Sequence, residues 1–128
     1  MSAYPWIEAL QGRDADLGEI TSLPASWECD LADNALRWAP GVFDLFGMPR
    51  GARLDRCAIV EMYVGESRAM LDRLRAEAIA TCGSFTFDAQ IRRPDGELRR
   101  MRLTADVLAR GGRAVRLYGT KQDVTAEI

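Results

Sequence analysis

Residues 85–124, FTFDAQIRRPDGELRRMRLTADVLARGGRAVRLYGTKQDV, decide the fold of the chain. Apolar and polar side chains alternate over 85–92 and 101–108, which is typical of half-buried strands, and 114–121 predicts a third strand. Residues 93–96 (RPDG) separate the first two strands, with a proline that fixes φ and a glycine that accepts a positive φ. Gly111 and Gly112 separate the last two strands. The pattern predicts an antiparallel meander with one apolar face, which needs a cover.

The residues before the meander supply that cover. Residues 26–31 and 35–38 predict a hairpin of two more strands. Short helices are predicted over 40–47 and 58–65, and a longer one begins at Ser67 as N-cap and ends before Gly83. The sequence therefore predicts an α+β fold, in which a five-stranded antiparallel sheet is covered on one face by short helices and one longer helix.

Residues 1–22 are predicted to form an N-terminal helical cap, separate from a domain over 23–128. Trp6, Ile7 and Leu10 fall at helical spacing. An exposed tryptophan on a short amphipathic segment needs a surface to dock on. That surface is either the back of the chain's own sheet or a second copy of the chain. In the second case Trp6, Ile7 and Leu10 are dimer contacts.

Composition places the chain among ordinary globular proteins. It has 128 residues and a net charge of −2, which argues against nucleic acid as a partner. No apolar run is long enough to span a bilayer and no leader is evident, so we expect no membrane association and a cytoplasmic location. The arginines over 92–102 are interpreted as a solvated strand face paired with nearby acids, rather than as an anion site.

The chain contains no histidine and three cysteines. The absence of histidine excludes a histidine-ligated haem and a Ser-His-Asp or Cys-His pair within this chain. Cys29, Cys57 and Cys82 match neither a disulfide framework nor a zinc pattern, and buried free thiols are the preferred interpretation. We predict no metal site and no tightly bound cofactor.

Four motifs, in order and at matching spacing over about 23–128, resemble those of PAS domains. Residues 27–31 (WECDL) resemble the W-x-x-D-L opening, and residues 36–47 resemble the segment that ends in F-G. Residues 91–99 resemble the D-G hairpin of the family, and residues 119–125 (GTKQDVT) resemble its closing G-x-x-x-D-[IV]-T motif. The chain is similar to bacterial signalling PAS domains of the fold-3-like kind with a C-terminal PAC motif. Arg100 and Ala89 depart from the pattern, since many members carry tryptophan and tyrosine there.

The resemblance implies a sensing or protein-interaction module of signal transduction, and some PAS domains bind a small molecule between helices and sheet. A small apolar ligand is possible here, whereas a filled core would make the domain a contact surface. Because interiors are close-packed, we expect a filled or nearly filled core. Tyr118 would supply one polar group to such a cavity. The candidate cavity residues are Trp38, Phe43, Phe46, Met62, Met70, Leu74, Phe87, Met101, Leu103 and Tyr118.

The resemblance also implies an output and a set of partners. Asp123, Val124 and Thr125 match the family's exit from the last strand, which commonly leads into a helix that drives an attached kinase, cyclase or other effector. We expect a homodimer, in a free-standing regulator or in a part of a longer sensor protein. Flavin photochemistry is rejected because Cys57 lacks every neighbour of the G-x-N-C-R-F-L-Q motif. The haem-sensing subset usually uses a histidine, which is absent.

A small enzyme with a cone-shaped cavity, of the isomerase or hydrolase type, is the alternative. Asp88 or Asp106 would serve as its buried carboxylate. Both residues fall on the polar side of the strand alternation, so we expect them to be solvated. The sequence therefore favours a binding module over an enzyme.

Overall fold

The computed structural model describes residues 22–127, which form a five-stranded sheet in the order β2-β1-β5-β4-β3. All neighbouring strands are antiparallel. The strands are β1 (Ala25–Asp30), β2 (Leu36–Trp38), β3 (Phe85–Arg92), β4 (Leu98–Arg110) and β5 (Arg113–Asp123), and the helices are α1 (Pro40–Phe46), α2 (Arg56–Glu61) and α3 (Glu66–Thr81). The predicted α+β fold is confirmed. Trp6, Ile7 and Leu10 of the predicted N-terminal cap lie outside the described residues.

The meander forms as its alternation predicts. Gly96, Gly111 and Gly112 have φ values of 91°, 57° and 76° in the two turns, a region that glycine enters without steric cost. Ile91, Met101 and other inward side chains of β3 and β4 are buried and face the helices, whereas the side chains between them are largely solvated. Strand alternation therefore decides which residues reach the core.

The segment between α2 and α3 covers the free edge of β3. The Arg92 N–H donates to the Met62 carbonyl at 2.8 Å, and the Val64 N–H donates to the Gln90 carbonyl at 2.9 Å. Exposed strand edges are sites of unwanted pairing, so this cover protects β3. It also fixes the backbone of Tyr63, which lies between the two bonds.

The ends of α3 differ from the prediction. Gly65, rather than Ser67, is the N-cap, and the Ser67 hydroxyl instead accepts a hydrogen bond from the Gln90 N–H at 2.8 Å. Cys82, rather than Gly83, takes the left-handed conformation after the helix, with φ 52°. Cys82 and Cys57 are exposed, so the prediction of buried thiols is wrong for both. They lie on helix ends and faces that meet solvent.

Cys82→Gly is expected to stabilise the domain by about 1 kcal/mol, because the left-handed conformation strains any residue that carries a Cβ. Cys57→Gly is the matched control at the other exposed cysteine. It lies within α2, where glycine should destabilise by about 0.5 kcal/mol. Chemical denaturation measures both changes, and shifts of the same sign would contradict the explanation.

Candidate functional site

One charged side chain lies in the gap between the sheet and the helices. Lys121, on β5, is the only lysine in the sequence. It is 6% exposed and is the one buried charged residue among those described. Its burial is not among the predictions from the sequence, although Leu117, Gly119 and Lys121 share one parity on β5. Because side chains alternate along a strand, Lys121 faces the same side of the sheet as the buried Leu117.

Four aromatic rings surround the Lys121 amine, and we name them the aromatic cage. The Nζ atom lies 5.3 Å from the ring centroid of Trp27 and 5.2 Å from that of Trp38. The corresponding distances to Phe46 and Tyr63 are 4.9 and 5.9 Å. Rings within about 6 Å attract a cation electrostatically. Because β1, β2, α1 and the segment after α2 each contribute one ring, the cage forms only in the folded domain.

The polar surroundings of Lys121 are sparse. Its Nζ donates one hydrogen bond, to the Tyr63 hydroxyl at 3.4 Å, and none of the ion pairs within residues 22–127 involves it. Burial lowers the pKa of Lys121 to about 7 and raises the pKa of Tyr63 above its ordinary value, since a low-polarity site disfavours the charged form of each group. The amine therefore titrates near neutral pH.

A cavity of about 40 Å³ adjoins Lys121. Arg56 on α2 and Arg75 on α3 line it together with Lys121, and no acidic residue of the described chain does. Burial and the nearby Arg75 lower the pKa of Arg56. The remaining wall is largely apolar and includes Ile59, Leu71, Phe85 and Leu103. The charged groups of this small cavity are thus all cationic.

The predicted cavity residues are distributed differently. Leu103 lines the cavity, while Trp38 and Phe46 belong to the aromatic cage. Phe43 and Met101 are buried in the core, Met62 and Phe87 pack against it, and Met70 and Leu74 are half-buried on α3. Tyr118 is 44% exposed on the outer face of the sheet, so its prediction as a polar handle is wrong. Strand alternation directs the Tyr118 side chain away from the cavity, and Tyr63 is the tyrosine that lines it.

The predicted output residues form a compact joint at the end of β5, which consists of Asp123, Val124 and Thr125. One oxygen of the Asp123 carboxylate accepts the Thr125 N–H at 2.9 Å and the Thr125 hydroxyl at 2.6 Å. The other oxygen accepts a hydrogen bond from Arg99 at 3.3 Å. A carboxylate that bonds to the backbone two residues ahead fixes the direction in which the chain leaves the strand.

Arginines of β4 hold the residues that follow. The Arg100 N–H donates to the Thr125 hydroxyl at 2.9 Å, and the Arg100 guanidinium donates to the carbonyls of Val124, at 3.1 Å, and Glu127. Arg102 pairs with Glu127 at 3.1 Å and with Asp88 at 2.9 Å. Arg100, which departs from the PAS sequence pattern, thus bonds to the segment that follows β5. The predicted pairing with acids is confirmed for Arg99 and Arg102, whereas Arg100 bonds to carbonyls instead.

The first described residue reaches the same joint. The Asp123 N–H donates to the Ser22 hydroxyl at 3.2 Å, and the Gln122 side-chain amide donates to the Ser22 carbonyl at 2.7 Å. The segment that precedes β1 and the segment that follows β5 therefore meet beside Asp123.

Other kinds of site find little support in the described residues. Asp88 and Asp106 are exposed on the outer face of the sheet, as predicted, which disfavours their use as buried catalytic carboxylates. Residues 22–127 contain no cluster of three or more histidine, cysteine or acidic residues that could bind a metal ion. Across the same range no helix combines the length and the apolar character that a bilayer-spanning segment needs.

Comparison with known proteins identifies the fold. No protein-family model and no curated protein matches the sequence. The N-terminal domain of a diguanylate cyclase with PAS/PAC sensor from Marinobacter aquaeolei is similar with a TM-score of 0.74 and 17% identity, over 82% of this chain and 98% of that one. A sensory box histidine kinase/response regulator from Burkholderia thailandensis is similar with a TM-score of 0.67 and 16% identity, over 95% and 86%.

An RNA-binding light-oxygen-voltage receptor is also similar, with a TM-score of 0.71 and 14% identity over 84% of this chain. The chain spans 31% of that receptor's length. Identities this low establish the fold alone. The chain has the fold of a PAS domain.

Proposed function

We propose that the chain is a sensory and protein-interaction module of bacterial signal transduction, in which β5 relays events at Lys121 to the joint at Asp123. One observation carries the proposal. Lys121 in the cavity and Asp123 in the joint are two residues apart on β5, so both side chains lie on the same face of the strand. A change in the position or charge of the amine therefore acts on the joint through one two-residue repeat of the strand.

The joint supplies the second part of such a relay. Arginines of β4 bond to residues 123–127, and Ser22, which precedes β1, accepts a hydrogen bond from the Asp123 N–H. A local shift becomes a signal when it biases an element that has two arrangements. An effector of the kinase or cyclase type, fused after the joint or bound to it, is the partner that we propose.

The absence of histidine makes the relay testable. With no histidine in the chain, Lys121 is expected to dominate the internal titration near pH 7. The amide NMR shifts of residues 124–127 should therefore follow the titration of Lys121, with a midpoint of about 7. In the matched control Lys121→Met, these shifts should stay flat over the same pH range. Shifts confined to the aromatic cage would contradict the relay.

We propose a homodimer that uses the N-terminal segment and the outer face of the sheet. Tyr118 and Leu108 expose 44% and 39% of their surface on this face. Sedimentation should detect association that increases with concentration and weakens when residues 1–22 are removed. Tyr118→Arg should weaken it too, whereas Ala76→Arg, at an exposed position of α3 on the other side of the sheet, serves as the control. A strict monomer at high concentration would contradict the dimer.

A further inference from the structure

The cavity beside Lys121 has an unbalanced charge. Arg56, Arg75 and Lys121 line it from α2, α3 and β5, and no acidic residue of the described chain joins them. A protonated lysine has three N–H donors, yet Lys121 has a single hydrogen-bond partner among residues 22–127, the Tyr63 hydroxyl. Donors that are buried with too few acceptors are costly. An anion in the cavity would supply acceptors and compensate the charge.

The size of the cavity limits the anion. About 40 Å³ holds roughly three water molecules, far less than the ~150 Å³ cavity that takes benzene. The uncharged part of the wall is largely apolar, with Ile59, Leu71 and Phe85 among its residues. A group with two acceptor oxygens at one end and a methyl or ethyl group at the other matches this division. Phosphate and sulfate lack an apolar end.

We propose that this cavity binds a short-chain carboxylate of two or three carbons, such as acetate or propionate. The carboxylate accepts hydrogen bonds from the Lys121 amine and the Tyr63 hydroxyl, and its alkyl group contacts the apolar wall. The ligand class differs from the small apolar molecule that the sequence suggested. The inference rests on the proposed sensory function, since it names the ligand whose binding the module would sense.

From the surroundings of Lys121, we expect its amine to take up a proton when a carboxylate binds. Its titratable and charged neighbours are Cys29 on β1, Arg56 on α2, Arg75 on α3 and Tyr63 before α3. Both arginines are cationic and no carboxylate of the described residues lines the cavity, so the amine has no carboxylate partner there. A bound carboxylate favours the protonated amine. Above about pH 7, acetate binding should therefore protonate Lys121.

The experiment uses the single lysine as its probe. Protein labelled with ¹³C-lysine gives one lysine spin system, which is titrated at pH 8 with acetate, propionate, acetamide and sodium chloride. We expect saturable shifts toward the protonated form with acetate and propionate, with millimolar or tighter Kd values. Acetamide, which has the same shape without the charge, and sodium chloride at equal ionic strength should leave the signal in place. Calorimetry in two buffers of different ionisation enthalpy should detect the proton uptake.

Variants show whether the shifts report on this cavity. Lys121→Met should abolish acetate binding measured by calorimetry, and Tyr63→Phe should weaken it several-fold while the fold is retained. Equal binding of acetate and acetamide, unchanged binding in Lys121→Met, or shifts that sodium chloride reproduces would overturn the inference. If acetate binds and the amides of residues 124–127 do not respond, the ligand class stands and the relay fails. If those amides follow the Lys121 titration and acetate does not bind, the ligand class fails and the relay stands.

Discussion

Lys121→Met is expected to raise the free energy of unfolding at about pH 6 by on the order of 4 kcal/mol, because it removes a charge that burial disfavours. Burial lowers the pKa of Lys121 from 10.5 to about 7. Each unit by which the pKa falls corresponds to about 1.4 kcal/mol of cost to the protonated amine in the folded state. Methionine is similar in length and fills the same space. It loses the attraction between the ammonium and the four rings, which offsets part of the gain.

The pH dependence of stability tests the same cause. The unfolded chain keeps the amine protonated up to about pH 10.5, whereas the folded chain releases the proton near pH 7. Between these values the unfolded state binds more protons, so wild-type stability should rise with pH by up to about 1.4 kcal/mol per unit. Below about pH 7 both states hold the proton and this contribution is constant.

Chemical denaturation of both proteins between about pH 6 and pH 9 provides the measurement. The advantage of Lys121→Met should shrink as the pH rises above 7, because the wild type alone gains stability from this group. Contributions of the other titrating groups are common to the two proteins and cancel in the difference. Parallel stability curves would show that the folded domain does not depress the affinity of Lys121 for its proton.

Gly119→Ala is expected to destabilise the domain by about 3 kcal/mol or more, which is at the upper end of overpacking effects. A Cβ at this position would lie 2.0 Å from the carbonyl oxygen of Thr104 and 2.7 Å from the carbonyl carbon. Both are backbone atoms of β4, which is paired with β5 along most of its length. The clash can be relieved only by separating two central strands.

Gly83→Ala is the matched control for this substitution. Neither glycine has a positive φ, and the nearest atom to a Cβ at Gly83 is the Thr81 hydroxyl oxygen at 2.9 Å. That atom is the end of a side chain that can rotate, so the expected change is within about 0.5 kcal/mol. Thermal and chemical denaturation measure both variants. Similar stabilities for Gly119→Ala and the wild type would show that β4 and β5 separate more easily than their pairing indicates.

Local patterns predict the strands, the turns and the helices of this domain. Alternation over 85–92 and the glycines of the two turns are decided by neighbours in sequence, and the structure follows them. Lys121 was missed because a lysine is rarely buried, and no local signal says that β1 lies beside β5. That pairing places Trp27 opposite Gly119, next to the amine. The cavity thus depends on long-range contacts among residues that look ordinary one by one.

The contacts at the joint were easier to predict than the cavity. Asp123 and Thr125 are two apart, and a carboxylate can bond to the chain two residues ahead without help from distant elements. Arg99 and Arg102 of β4 also pair with acids, as the sequence predicts for this face. Tyr118 was misplaced because a large aromatic side chain was expected to seek the interior, whereas its parity on β5 directs it outward.

The covered edge of β3 limits how another chain can join this sheet by strand addition. Backbone groups of residues 62–64 already occupy that side, so a guest strand arriving there would first have to displace them. The opposite border is β2, which has only three residues. Among the described residues, this border therefore offers a foreign peptide few backbone groups to pair with.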